Sequence, residues 1–255
     1  GLVSVEYTFE GQAAHGAGDP WKGRSALDAV ELLSVGWNYR REHLRPLQRS
    51  HSVIVDGGDQ PNVVPSRATA WYFIREITAD HIRDNFEALQ RTAEGAAMMT
   101  DTTLSRRIIG TAYPRHFNKP IAEAMQKNIL SVGMPDWSED DQAFARAFQE
   151  FMEAEEITGL KTEVEEIGVP LEEPKSGGSD DIGDVSWNVP TVTLRFPSNI
   201  DGRTGHHWSS AIAMATPIAH KGAVAGAKVI AATMLDLLQE PQLVFRLNAF
   251  GNNLH

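Results

Sequence analysis

Cysteine is absent from this chain. Disulfide frameworks and thiolate metal sites are therefore excluded, and nothing points to secretion. Positive charge is scarce: 23 Lys and Arg face 34 Asp and Glu, a formal net charge of -11. Such a surface is a poor match for a nucleic-acid backbone. No apolar run reaches the roughly 18 residues that a membrane span needs. The opening GLVSVEYTFEG lacks the basic start and long apolar centre of a signal peptide. The expectation is a cytoplasmic protein with neither nucleic acid nor membrane as a partner. Low-complexity runs and internal repeats are missing too. What remains is 255 residues, 42% hydrophobic, enough for one large domain or two small ones with a real core. The chain starts at Gly1, directly in a strand-like pattern, which suggests a fragment or a processed piece.

In LVSVEYTFEG, Val3, Val5, Tyr7 and Phe9 alternate with Ser4, Glu6 and Thr8, the period of a half-buried strand. A glycine-rich loop follows, then Ser25 as a helix N-cap with Asp28 three residues on. Leu27, Val30 and Leu33 give that helix its apolar face, and Val35 extends it. HSVIVDGG and ATAWYFIRE read as strands. Residues 79–99 form a helix, with Ile82, Phe86, Leu89, Ala93 and Ala96 at spacings of three and four. TDTTLSRRIIGTAY is a last strand. Strand, helix, strand, strand, helix, strand is the split arrangement of a ferredoxin-like sandwich. It fills residues 1–113.

Residues 114–255 differ. NKPIAEAMQKNILSVG is helical, and SEDDQAFARAFQEFMEAEEITG is a second helix capped by Ser138 over an acidic first turn. EEPKSGGSDD is a polar loop, VPTVTLRF a strand, and residues 217–238 a long alanine-rich helix. So few strands make an incomplete α/β domain, as though others lay outside this chain.

Single motifs carry little. His-x-Asp, His-Glu-x-x-His, a nucleophile elbow and a phosphate loop are all missing. The Glu155-Glu156 pair belongs to a solvated helix face, and Glu165-Glu166 and Glu172-Glu173 flank a proline-bearing stretch. His15, in QAAHGAGDP, is either a loop residue or a group that glycine lets approach a ligand. Asn62 fits a turn, Arg75 a strand end, and Asp180 and Asp181 a turn after SGGS. In GRTGHHWSS, neighbouring extended residues point to opposite faces, so at most one of His206 and His207 is a metal ligand.

Taken in order, FEGQAAHGAGDPWKGRSALDAV, VDGGDQPNVVPSRATAWYFIR, SGGSDDIGDVSWNVPTVTLRFP and GHHW resemble the zinc-dependent aminoacylase and carboxypeptidase-G peptidase family. The nearest branch is the aminobenzoyl-glutamate utilization protein B-like hydrolases. The resemblance implies an α/β fold: a ferredoxin-like lid and dimerisation domain (βαββαβ), then the C-terminal part of a metallopeptidase catalytic domain. It implies two divalent metal ions, zinc by default and manganese or cobalt as alternatives. His206, two residues before Trp208, matches the family's last metal ligand. The other ligands and the general-base glutamate precede the lid in the family, and their motifs are not in this sequence. His15 matches the lid histidine that stabilises an oxyanion across the dimer, Asn62 the lid asparagine, and Arg75 a binder of the substrate carboxylate. Gly177 to Asp181 match a pocket-lining loop, with Ser179 and Asp181 as polar contacts. The implied activity is metal-dependent cleavage of the amide of an N-acyl or N-aroyl amino acid, such as p-aminobenzoyl-glutamate, by a homodimer. The alternative is a non-catalytic dimerisation or substrate-binding module.

Overall fold

The structure, a computed structural model, describes residues 1–168 and 178–244. In chain order its elements are β1 (Leu2–Glu10), α1 (Ala26–Arg41), β2 (Arg49–Asp56), β3 (Arg67–Arg75), α2 (Ala79–Thr100), β4 (Thr103–Ala112), α3 (Lys119–Val132), α4 (Glu139–Phe151), α5 (Ile182–Ser186), α6 (Trp208–Met214) and α7 (Pro217–Gln239). They fall into two compact units. One takes residues 1–116 and the segment 178–187; the other takes 117–168 and 188–244.

The first unit is built around β1. Its alternation buries Val5, Tyr7 and Phe9 completely and turns Glu6 and Thr8 outward. β1 pairs antiparallel with β3 on one side and β4 on the other, in the sheet order β2-β3-β1-β4. That order and α1 and α2 on one face make the ferredoxin-like sandwich expected from the pattern. β3 adds Ala68, Ala70, Tyr72 and Ile74 to the same core, and α2 adds Ala88, Leu89, Ala93, Ala96 and Ala97. Burial pushes the Tyr7 phenol well above its usual range. Ser25 caps α1 as expected, accepting from the Asp28 amide at 3.1 Å. The apolar face of α1 differs from expectation. Val35 is exposed and Trp37 is buried, because a residue four beyond Leu33 shares its face and one two beyond does not. Trp37 also donates from Nε1 to Ser50 at 2.8 Å.

The segment 178–187 returns to this first unit rather than staying with the residues that precede it. Ser186 accepts from the His116 amide at 2.8 Å, and Trp187 donates to the Pro114 carbonyl at 2.8 Å. Gly183 lies so close to Tyr113 that a Cβ there would overlap its carbonyl oxygen.

The second unit contains α3, α4, α6 and α7 and, among the described residues, no strand. Two corrections follow. VPTVTLRF was expected to be a strand, yet residues 189–196 are irregular, since a strand needs a partner for its backbone groups and none is described beside it. The second helix was expected to reach Gly159 but stops at Phe151, and Glu153 is left-handed at φ 51°. Glu155-Glu156 therefore lies beyond the helix. Glutamines replace a sheet here: Gln142 and Gln149 each exchange two hydrogen bonds with the backbone of residues 159–160, at 2.8–3.2 Å. A core of Ala145, Phe148, Leu160, Ile200, Ala213 and Ile218 forms beneath them.

α7 also corrects the reading of apolar runs, since by length and composition it could cross a membrane. Here it packs through small residues: Gly222 abuts the Pro197 carbonyl and Gly226 the Phe196 ring. It is tied to α3 by Asn128, which donates to Thr233 at 3.2 Å and Asp236 at 2.7 Å. It is tied to the start of α4 by Lys221, 2.5 Å from Asp141. Asp141 completes the capping box with Ser138.

The Lys221 ammonium holds the Asp141 carboxyl below its usual value, against a smaller opposing effect of burial. A depressed carboxylate contributes stability above its unfolded pKa and loses it as pH falls through its folded one. Lys221→Met should therefore cost about 1–2 kcal/mol at neutral pH. In urea titrations across pH, that cost should shrink in acid as Asp141 protonates; a cost independent of pH would rule the pair out.

Candidate functional site

The antiparallel register has two ends, and the sequence-predicted residues divide between them. Beyond Glu10 and Arg67 lie two loops, residues 11–24 and 57–66. They are laced together by backbone bonds: Gly11 to Ser66 at 2.7 Å, Val64 to Ala14 at 3.0 Å, and Gly16 to Asn62 at 2.8 Å. His15 bridges Val63 in the same lattice. A Cβ on Gly11 would overlap the Arg24 carbonyl, so glycine is required for that close approach. The structure thus brings His15 and Asn62 side by side, although 46 residues separate them in sequence. The His15 Nδ1 accepts from the amides of Ala17 at 3.1 Å and Gly18 at 3.0 Å. Asn62 and His15 are both exposed.

Arg75 is elsewhere. It pairs with Leu2, at the other end of β1. Eight residue steps at ~3.3 Å each put it roughly 27 Å along the sheet from the His15 end. One subunit's lid therefore does not bring Arg75 to the same small molecule as His15 and Asn62. The Arg75 guanidinium lies over the Phe73 ring, 5.6 Å from its centroid, on the sheet face opposite the helices. Its Nε is buried and has no hydrogen-bond partner among the described residues.

Arg115 and Asp180 stand at this second end, 2.5 Å apart. The expected polar contacts were Ser179 and Asp181, on either side of Asp180. Ser179 is partly exposed and Asp181 exposed, the latter at the N-terminus of α5. Asp180 instead binds Arg115 and accepts from the Ile182 amide at 3.2 Å. No sequence signal distinguishes Asp180 from Asp181. Gly177 and the pair Glu172-Glu173 lie outside the described residues.

His206 and His207, in the second unit, take different work. His207 caps α6: its Nδ1 lies 3.0 Å from Ser209 Oγ and accepts from the Ser209 amide at 3.4 Å. That ring nitrogen is committed to the backbone, and the imidazole tilts against Trp208. His206 is exposed and held left-handed at φ 55°. Of the two, His206 is the one whose position is not explained by a structural bond. Among the described residues no group of three or more His, Asp or Glu could hold a metal ion. The described residues therefore do not make a metal site by themselves, and His206 is at most one donor of a larger set.

A left-handed backbone penalises every residue with a Cβ. His206→Gly should be more stable than His206→Ala by about 1 kcal/mol, read as the difference in their thermal midpoints. Equal midpoints would show that φ at 206 is not held.

Comparison with known proteins follows this division. Residues 1–97 match the peptidase dimerisation domain of the M20 family. Over 95% of its length the chain is 30% identical to one component of the p-aminobenzoyl-glutamate hydrolase of Escherichia coli, covering 55% of that protein. It is 27% identical over 95% of its length to the Xaa-Arg dipeptidase of Mus musculus, covering 49% of it. The chain thus spans about half the length of the curated relatives it matches. A solved structure from methicillin-resistant Staphylococcus aureus, described as an aminohydrolase, superposes on 92% of the chain and 51% of its own, with a TM-score of 0.55 and 13% identity. That likeness concerns the fold alone. Residues 1–97 are thus similar to a peptidase dimerisation domain, and the chain as a whole is similar to proteins named as a hydrolase and a dipeptidase.

Proposed function

We propose that this chain is the lid and the C-terminal catalytic portion, divided near residues 113–114, of a homodimeric amidohydrolase. It cleaves the amide bond of an N-acyl or N-aroyl amino acid, with p-aminobenzoyl-glutamate as the first substrate to try. The named activities of the relatives support this reading. The observation that carries it is the lacing of His15 to Asn62 at one end of the sheet, roughly 27 Å from Arg75 at the other. A hydrolase needs a donor for the oxyanion that develops on the scissile carbonyl. It also needs a cation for the amino-acid carboxylate. His15, with Asn62 beside it, is chemically suited to the first task and Arg75 to the second. Because one lid separates them, a substrate that meets both takes His15 and Asn62 from one subunit and Arg75 from the other.

The edge of the sheet supports the dimer. β2 is an edge strand, and Val53, Ile54 and Val55 are each more than half exposed along it. An unpaired apolar edge is a template for another strand. β2 ends at Asp56, directly before the loop that carries Asn62, so pairing at this edge sets that loop near the partner.

The reading includes two divalent ions, with zinc first and manganese or cobalt next. His206 supplies one ligand, and the remaining donors lie outside the described residues. Ser179 and Asp181 are substrate contacts in this reading. The protein acts in the cytoplasm, with neither nucleic acid nor membrane as partner.

Subunit mixing tests the division of labour. In the full protein, His15→Ala and Arg75→Ala dimers should each lose most of their release of p-aminobenzoate from p-aminobenzoyl-glutamate. Mixed and re-equilibrated in equal amounts, they should regain about a quarter of wild-type activity, because half of the dimers are hybrids with one intact site. Failure to regain activity, with hybrids shown to form, would place both residues in one subunit's site or outside the site.

A further inference from the structure

The loop around His15 does more than bring it near Asn62. Two backbone amides converge on one ring atom: Ala17 N and Gly18 N lie 3.1 Å and 3.0 Å from Nδ1. A backbone N–H only donates, so the atom it meets must accept. A neutral imidazole has one accepting and one donating nitrogen. With Nδ1 taken as acceptor, the proton sits on Nε2. Turning the ring over would set Cδ2, which accepts nothing, against both amides. The ring has no freedom to swap roles without losing two hydrogen bonds.

The loop sequence makes this possible. Gly16 runs alongside Asn62, its amide on the Asn62 carbonyl and its missing Cβ leaving room for that carbonyl. Gly18 then lies beside the His15 side chain: a Cβ there would sit 3.6 Å from Cβ, Cγ and Nδ1 of His15. Asp19 closes the turn by donating its amide to the His15 carbonyl at 3.2 Å. His15 is thus held by its own backbone, through the bridge to Val63, and by its ring, through the two amides.

We propose that the amides of Ala17 and Gly18 are positioning groups that fix the neutral His15 imidazole with its proton on Nε2, so that the ring meets its ligand as a hydrogen-bond donor. This rests on the reading of His15 as the oxyanion donor. It adds what that reading leaves open: which nitrogen donates and what holds the proton there. No proton needs to move for the donor to be ready.

The tautomer is observable without any reaction. The chain, labelled with ¹⁵N-histidine, is recorded in long-range ¹H–¹⁵N spectra at a pH where the rings are neutral. His15 is assigned by its loss in His15→Gln. The expected result is a pyridine-like Nδ1 and a pyrrole-like Nε2. A pyrrole-like Nδ1, or two averaged nitrogen shifts, would overturn the proposal. Gly18→Ala keeps the amide and has room for its methyl group, so it should leave the pattern unchanged.

Turnover in the full protein supplies the second readout. Asn can imitate the accepting Nδ1 and Gln the donating Nε2. His15→Asn should therefore lower kcat by about 10²-fold, the loss of an oxyanion donor, and His15→Gln by clearly less. The reverse order would also overturn the proposal. If the Nε2–H tautomer is seen while His15→Ala leaves hydrolysis intact, the locked ring stands and the catalytic reading falls.

Discussion

Everything in the first unit depends on β1 being paired on both sides. Its residues 2–10 face β3 and β4 in two antiparallel registers, and a slip of one residue would turn Val5, Tyr7 and Phe9 out of the core. Burial therefore fixes the register firmly. The register in turn decides what stands at each end. Leu2 opposite Arg75 brings the β3 C-terminus to one edge of the unit; Glu10 opposite Arg67 brings the loops of His15 and Asn62 to the other. The separation of His15 from Arg75 follows from strand length. A shorter β1 would join the two groups and a looser one would not hold them apart.

The second unit obeys a different constraint. Its described residues have no sheet, so the backbone of its irregular segments must be satisfied by side chains. Gln142 and Gln149 do this for residues 159–160, Asn128 ties α3 to α7, and Asp141 serves both Ser138 and Lys221. The apolar core beneath is small, centred on Phe148, Ile200 and Ile218. Each of these polar side chains acts at one point, whereas a ladder acts along a whole strand. Orientation in this unit rests on a handful of bonds from helices to loops.

This contrast explains what could be read in the sequence. The sandwich was legible because its information is periodic and local: alternation in β1, the three–four spacing in α2, and Ser25 and Ser138 as caps. Each signal agreed with its neighbours. Val35 misled because it is apolar at the wrong angle, and Trp37 was missed because its indole also needs Ser50. VPTVTLRF has strand propensity but lacks a described partner, and propensity does not make a strand without one. At the site, His15, Asn62 and Arg75 came from resemblance to a family, and the residues alone left each of them ambiguous. What neither route showed was their division between two ends of the sheet, which exists only once the register is known. The pairing of Arg115 with Asp180, rather than a role for Asp181, is likewise a matter of three-dimensional reach across 65 residues.

The two histidine settings show how a fold prepares a ring for different work. His207 has its Nδ1 turned onto the amide of Ser209, and the result is a helix cap: the ring serves the backbone. His15 also has its Nδ1 on backbone amides, yet it caps no helix, and it lies beside an exposed asparagine in a loop shaped by Gly16 and Gly18. The same bond has different consequences because of what surrounds the other nitrogen. At 207 the ring packs on Trp208 next to a helix start. At 15 the ring sits on an exposed loop, where the second nitrogen can meet a ligand. His206 is the converse case, with no ring bond to explain it and a backbone held where glycine would be easier. In the proposed reading that ring is one metal ligand completed by further donors, a role that suits an imidazole.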